Sequence, residues 1–187
     1  MKNAAAVLVL AVLCVAPSRS VADPSTYETV LKMMSKVPEK AHPSRPGRYD
    51  QTGDAKAIAA GIAAATDDGD DASLAVVFAA YESSNSLRDP SGECIGGDVD
   101  KATLEYQSWG PFQLNVRVVP KVVACDPRQA AAAWLRLKAD AVARCASSPP
   151  EDRLAALASG SCTNRGGIKE SRLRTRVAEQ VLEAASP

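Results

Sequence analysis

The sequence predicts a mainly helical domain with at most a small β element near residues 95–118. Two observations lead there. Apolar residues recur at helical spacing, as in Leu74, Val77, Phe78 and Tyr81 or Leu173, Val177 and Val181. Turn-forming clusters such as Asp89-Pro90-Ser91-Gly92 and Gly96-Gly97 crowd into the one stretch that lacks this spacing.

A first helix is expected over Thr26–Val37, followed by an arm punctuated by Pro38, Pro43, Pro46 and Gly47. His42, the sole histidine, lies in that arm and reads as a solvated side chain. Residues 54–66 are alanine-rich, with Ile58 and Ile62 one turn apart. The run Asp67-Asp68-Gly69-Asp70-Asp71 lacks the alternating ligands of a calcium loop, and its carboxylates suit the positive start of the next helix. That helix is expected over Ala72–Ser84. Pro127 suits the first turn of a long helix reaching about Cys145, with Trp134, Leu135, Ala141 and Val142 on its core face. Ser147–Pro150 introduce a short helix ending near Ser159, and Ile168–Ala185 form the last one. Arg172, Arg174 and Arg176 on that last helix read as a solvated face.

Lys2, the apolar run Ala4–Ala16 and the small residues Ser20 and Ala22 follow the order of a secretory signal peptide. Cys14 follows Leu13, which is too large for a lipoprotein signal, so Cys14 is expected to leave with the peptide. Residues 1–22 thus form the signal, 23–53 a helix and proline-rich arm, and 54–187 the main domain. Loss of Lys2 and Arg19 leaves 20 basic against 22 acidic residues, and that balance gives no footing for nucleic-acid binding. The expected location is outside the cytoplasm, periplasmic or extracellular, with no stable membrane insertion. Cys94, Cys125, Cys145 and Cys162 remain and read as two disulfides. Three pairings are open, and the two shortest non-crossing loops join Cys94 to Cys125 and Cys145 to Cys162. No CxxC pair is present, so no zinc site is expected, and no cofactor.

Glu82 is the candidate catalytic residue. It falls at the edge of the Leu74–Phe78–Tyr81 stripe, where the core gives way to a neighbouring groove, and in the last turn of its helix. Partial burial and unpaired helix carbonyls both favour a carboxyl that keeps its proton, as a donor to a glycosidic oxygen must. Tyr106, Trp109 and Phe112 cluster farther along, with Trp109 suited to stacking on a sugar ring and Phe112 to core packing.

Tyr81-Glu82-Ser83-Ser84, followed by Gly110-Pro111-Phe112-Gln113-Leu114, resembles the lysozyme-like superfamily, in its soluble lytic transglycosylase and goose-type lysozyme branch. The resemblance spans roughly residues 72–170 and implies an α+β lysozyme-like catalytic domain. It implies Glu82 as general acid and base, with Ser83 holding the groove and Gln113 facing the substrate; Trp109 and Tyr81 are further substrate-binding candidates. The family's third motif, Ala-Tyr-Asn-x-Gly, is met only by Ala156-Leu157-Ala158-Ser159-Gly160, without its tyrosine and asparagine, and no role passes to Leu157 or Ala158. The implied activity is cleavage of the N-acetylmuramic acid–N-acetylglucosamine bond of peptidoglycan. The alternatives are a non-catalytic glycan-binding or structural protein on the same scaffold, and a glycosidase acting on chitin, another N-acetylglucosamine polymer.

Export should cut the chain between Ala22 and Asp23. Intact-mass measurement of secreted protein is expected to show a chain beginning Asp23-Pro24-Ser25, and a mass retaining residues 1–22 or a lipid on Cys14 would refute the signal.

Overall fold

The structure, a computed structural model, describes residues 24–38, 52–89 and 91–186. The signal stretch with Cys14 and its cleavage point, and most of the proline-rich arm with His42, lie outside them. The described residues form seven helices and one small hairpin, a mainly helical architecture with a minor β element. The helices are α1 (Pro24–Lys36), α2 (Thr52–Ala65), α3 (Gly69–Ser83), α4 (Lys121–Ala124), α5 (Pro127–Arg144), α6 (Ala155–Ser159) and α7 (Arg165–Ala185). Strands β1 (Ser108–Trp109) and β2 (Leu114–Asn115) pair antiparallel, with Ser108 opposite Asn115 and Trp109 opposite Leu114.

The middle of the molecule is α3. The amphipathic stripe expected of it understates its burial, because Ala72, Ala75, Ala79 and Ala80 on its other sides are buried as well as Val76, Val77 and Phe78. Alanines let neighbouring backbones approach from several directions, and α1, α2, α5 and α7 all pack on this helix. Its start follows from the acidic run. Asp68 caps it by accepting a hydrogen bond from the Asp71 amide at 2.9 Å, and Asp70 and Asp71 fill the first turn. Its end is made by Ser84 and Asn85, both in the left-handed region, at φ 56° and 59°. Asp54 on α2 then takes over, its carboxylate accepting from the Leu87 amide at 2.8 Å and the Arg88 amide at 3.3 Å.

Around this axis, α2 lies against α5, with Gly61 meeting the backbone at Pro127 so closely that a Cβ would collide with it. Val30 and Met33 of α1 are buried in the same core as Ile58 and Ile62 of α2 and Val177 and Val181 of α7. Asp126 caps α5 and Asn164 caps α7 through their side chains. The expected stripe on α7 is corrected at Leu173, which is 37% exposed while Val177 and Val181 are buried. The reading of three solvated arginines holds for the exposed Arg172 and Arg176 and is corrected at Arg174. Arg172 makes a bidentate pair with Asp152, at 2.6 and 3.0 Å, and Arg174 is only 8% exposed. Successive positions on a helix differ by about 100°, so Arg174 lies on the face opposite Arg172 and Arg176. Arg172 holds the Asp152 carboxyl below its ordinary range.

Two disulfides close the fold, Cys94–Cys125 and Cys145–Cys162. The first ties the loop after α3 to the end of α4, and the second ties the end of α5 to the approach to α7. Among the described residues no helix is long and apolar enough to cross a membrane.

Removal of each bridge by paired Cys→Ala substitution is expected to lower stability by about 3–4 kcal/mol. The Cys94–Cys125 bridge, spanning 31 residues against 17, should cost about 0.5 kcal/mol more. Urea unfolding measures both, and equal stability of all three proteins would show that neither loop is held by its bridge.

Candidate functional site

An open cleft of about 730 Å³ runs beside the C-terminal end of α3. Its floor is aromatic: Phe78, Phe112 and Trp134 line it, Trp134 lying 5.0 Å from Phe78 and 5.6 Å from Phe112 between ring centroids. Glu82 stands on one wall, one turn beyond Phe78. The hairpin and the loops on either side of it supply Gly97, Asp98, Ser108, Gln113, Asn115 and Arg117. The far wall is Arg144, at the end of α5, with Ala156, Leu157, Ala158 and Gly160 of α6.

Three segments far apart in sequence therefore meet on one cavity: the end of α3, the hairpin, and residues 156–160. Glu82 and Gln113 both line it. The other groove candidates do not. Ser83 is fully buried, its hydroxyl donating to the Ala79 carbonyl at 3.0 Å and accepting from the Ser86 amide at 3.2 Å, so it builds the turn behind Glu82. Trp109 is half-buried outside the cleft, edge-on to Tyr106, with the Lys121 ammonium 3.5 Å from its ring centre. Tyr81 is also outside the cleft lining; burial pushes its phenol above the ordinary value, against the opposing pull of Arg174.

Gln113 is held by its own hairpin. Its backbone sits in the left-handed region at φ 48°, its amide NH2 donates to the Gly110 carbonyl at 2.8 Å, and its Oε1 accepts from Ser108 at 3.1 Å. One amide hydrogen and one lone pair remain for a ligand. Gly110 makes this turn possible: at φ 76°, it lies so close to the Ala124 carbonyl that a Cβ would overlap it.

The carboxyl of Glu82 is an ion-pair member. Its Oε1 accepts from Arg174 Nη1 at 2.6 Å, while Arg174 Nε donates to Glu170 at 3.1 Å. The Arg174 guanidinium also lies 4.4 Å from the Phe78 ring centre and 5.3 Å from that of Tyr81. This cation is the feature of the Glu82 site that the sequence around Glu82 does not announce. The signal was present in the 3.6-residue period of α7, which puts Arg174 beside the buried Val177 and Ala178. Arg144 and Arg117, which bring positive charge to the cleft, were equally missed.

The remaining loop carboxylates divide clearly. Asp89 and Asp100 build turns: hydrogen bonds from Ser91 and neighbouring amides hold the first below the ordinary carboxylate range, and amides of Ala102 and Thr103 do the same for the second. Asp98 is the loop carboxylate that reaches the cleft. Among the described residues no three His, Cys, Asp or Glu side chains are grouped to hold a metal ion.

Gly110→Ala is expected to destabilise the protein by at least about 2 kcal/mol, from left-handed strain plus the clash at Ala124. Urea unfolding reads this loss, and wild-type stability would show that the hairpin tolerates another path. Compared with family models, with curated proteins and with solved structures, the chain matches none.

Proposed function

We propose that the protein is an exported glycosidase that cleaves the N-acetylmuramic acid–N-acetylglucosamine bond of peptidoglycan, with Glu82 as its general acid and base. The observation that carries this reading is the convergence of Glu82, Gln113 and residues 156–160 on one cleft. The first two of these segments carry the lysozyme-like resemblance in the sequence, and the third stands at the place of a family motif whose tyrosine and asparagine are missing. Export is supported by the signal-like start of the chain and by two disulfides, which persist in oxidising compartments.

In the proposed reaction Glu82, protonated from solvent as it leaves Arg174, gives that proton to the glycosidic oxygen as the bond to the anomeric carbon breaks. The substrate's own N-acetyl oxygen stabilises the cation on that carbon. Glu82, now a carboxylate, takes the proton of the C6 hydroxyl, whose oxygen closes on the anomeric carbon. The product is a 1,6-anhydro sugar, and no water is consumed. Gln113 offers its remaining amide hydrogen to the sugar, and Phe78, Phe112 and Trp134 give the cleft an apolar floor.

A second reading, hydrolysis with two carboxylates, is favoured by Asp98, which shares the cleft with Glu82 and could activate a water. The products separate the two, because anhydro ends are lighter than reducing ends by one water. Glu82→Gln should lower peptidoglycan release by at least about a hundredfold, whereas Asp98→Asn should cost far less. Turbidity of purified peptidoglycan and mass spectrometry of the released muropeptides measure both. Reducing ends together with an essential Asp98 would make the protein a hydrolase, and full activity of Glu82→Gln would overturn the assignment.

A further inference from the structure

Glu82 is held by a partner that is itself anchored elsewhere. Arg174 is buried, and its side chain is 10% exposed against 30% for that of Glu82. Three of its contacts do not involve Glu82: the Nε bond to Glu170, the Phe78 ring beneath the guanidinium and the Tyr81 ring beside it. Glu170 sits one turn back on the same helix, so this pair needs no tertiary contact to form. Glu82 faces the cleft and has only the last turn of α3 behind it. Of the two members, Glu82 is therefore the one free to move.

We infer that Arg174 is a positioning residue, a fixed post that aims the Glu82 carboxyl at the cleft and releases it to a bound glycan while Glu170 keeps the guanidinium paired. A buried cation stripped of every carboxylate is strongly disfavoured. With Glu170 in place, Glu82 can take up a proton from solvent and turn from Nη1 to a ligand oxygen without leaving that cation alone. Glu170 then has a role in turnover although it does not line the cleft. The inference rests on the glycosidase reading for its kinetic consequence, and on geometry alone for the post.

Glu170→Gln is the diagnostic variant, because the Glu170 side chain is 45% exposed and its loss should leave the fold intact. Glu82 then becomes the only carboxylate on Arg174, and kcat is expected to fall about tenfold with KM unchanged. Arg174→Gln should lower kcat similarly by leaving Glu82 unaimed. Arg174→Lys should recover part of it, since an ammonium keeps the charge but not the planar fork that serves two carboxylates. Wild-type kcat in both Glu170→Gln and Arg174→Lys would overturn the role of Arg174, and absence of any product from the wild type would instead overturn the glycosidase reading. The Arg174 Nε–H resonance of 15N-labelled protein tests the post in either case. It should stay protected from exchange in wild type and in Glu82→Gln and lose protection in Glu170→Gln, whereas loss in Glu82→Gln would refute the post.

Discussion

The burial of α3 along nearly its whole length is the constraint from which the rest of the molecule follows. A helix surrounded by α1, α2, α5 and α7 can carry polar chemistry only where it emerges, and it emerges at Glu82. Its exit is shaped by two successive left-handed residues, a buried Ser83 and a carboxylate reaching over from α2. The cleft is the space left where α3 stops, and the hairpin and α6 close it on either side. Position of the site and packing of the core are thus one fact.

An alanine-rich core has a cost. Alanine buries little apolar area, so close helix approach is obtained with less hydrophobic stabilisation than a core of leucine or phenylalanine supplies. The large buried side chains are few, and Trp134 serves the core and the cleft floor together. The two disulfides offset part of the deficit, and they lie where helices give way to loop. Cys94–Cys125 anchors the loop after α3, which is otherwise held by isolated bridges, backbone hydrogen bonds and the buried Ile95.

Most of the helices were legible because their signals are local. The Asp68 and Asp126 caps, Pro127 in a first turn and the glycine-rich stretch around the hairpin each act within a few residues of their own position. Three pairings of the cysteines were open from the sequence, and the structure takes the two shortest non-crossing loops. What escaped was set by distance in the chain. Arg174 pairs with a residue 92 positions away, and nothing near it in sequence says so except the helical phase that puts it opposite Arg172. Ser83 and Trp109 were candidates because they adjoin Glu82 and Gly110, yet neighbours on a helix point about 100° apart and neighbours on a strand to opposite faces. Adjacency in sequence is poor evidence of a shared surface, and here it placed Ser83 in the turn and Trp109 under Lys121.

The two walls of the cleft are chemically unequal, and this bears on what it can recognise. The α6 wall offers Ala156, Leu157, Ala158 and Gly160, which supply shape and backbone groups but no side-chain donor or acceptor. Polar recognition therefore falls to the hairpin, through Gln113, Ser108 and Asn115, and to the cations Arg117 and Arg144. Glu82 and Asp98 are the anions of the same lining, and Glu82 shares Arg174 with Glu170. Two cations against two anions leave the lining without a charge preference of its own, so recognition rests on the hydrogen-bonding groups of the hairpin and the shape of the α6 wall.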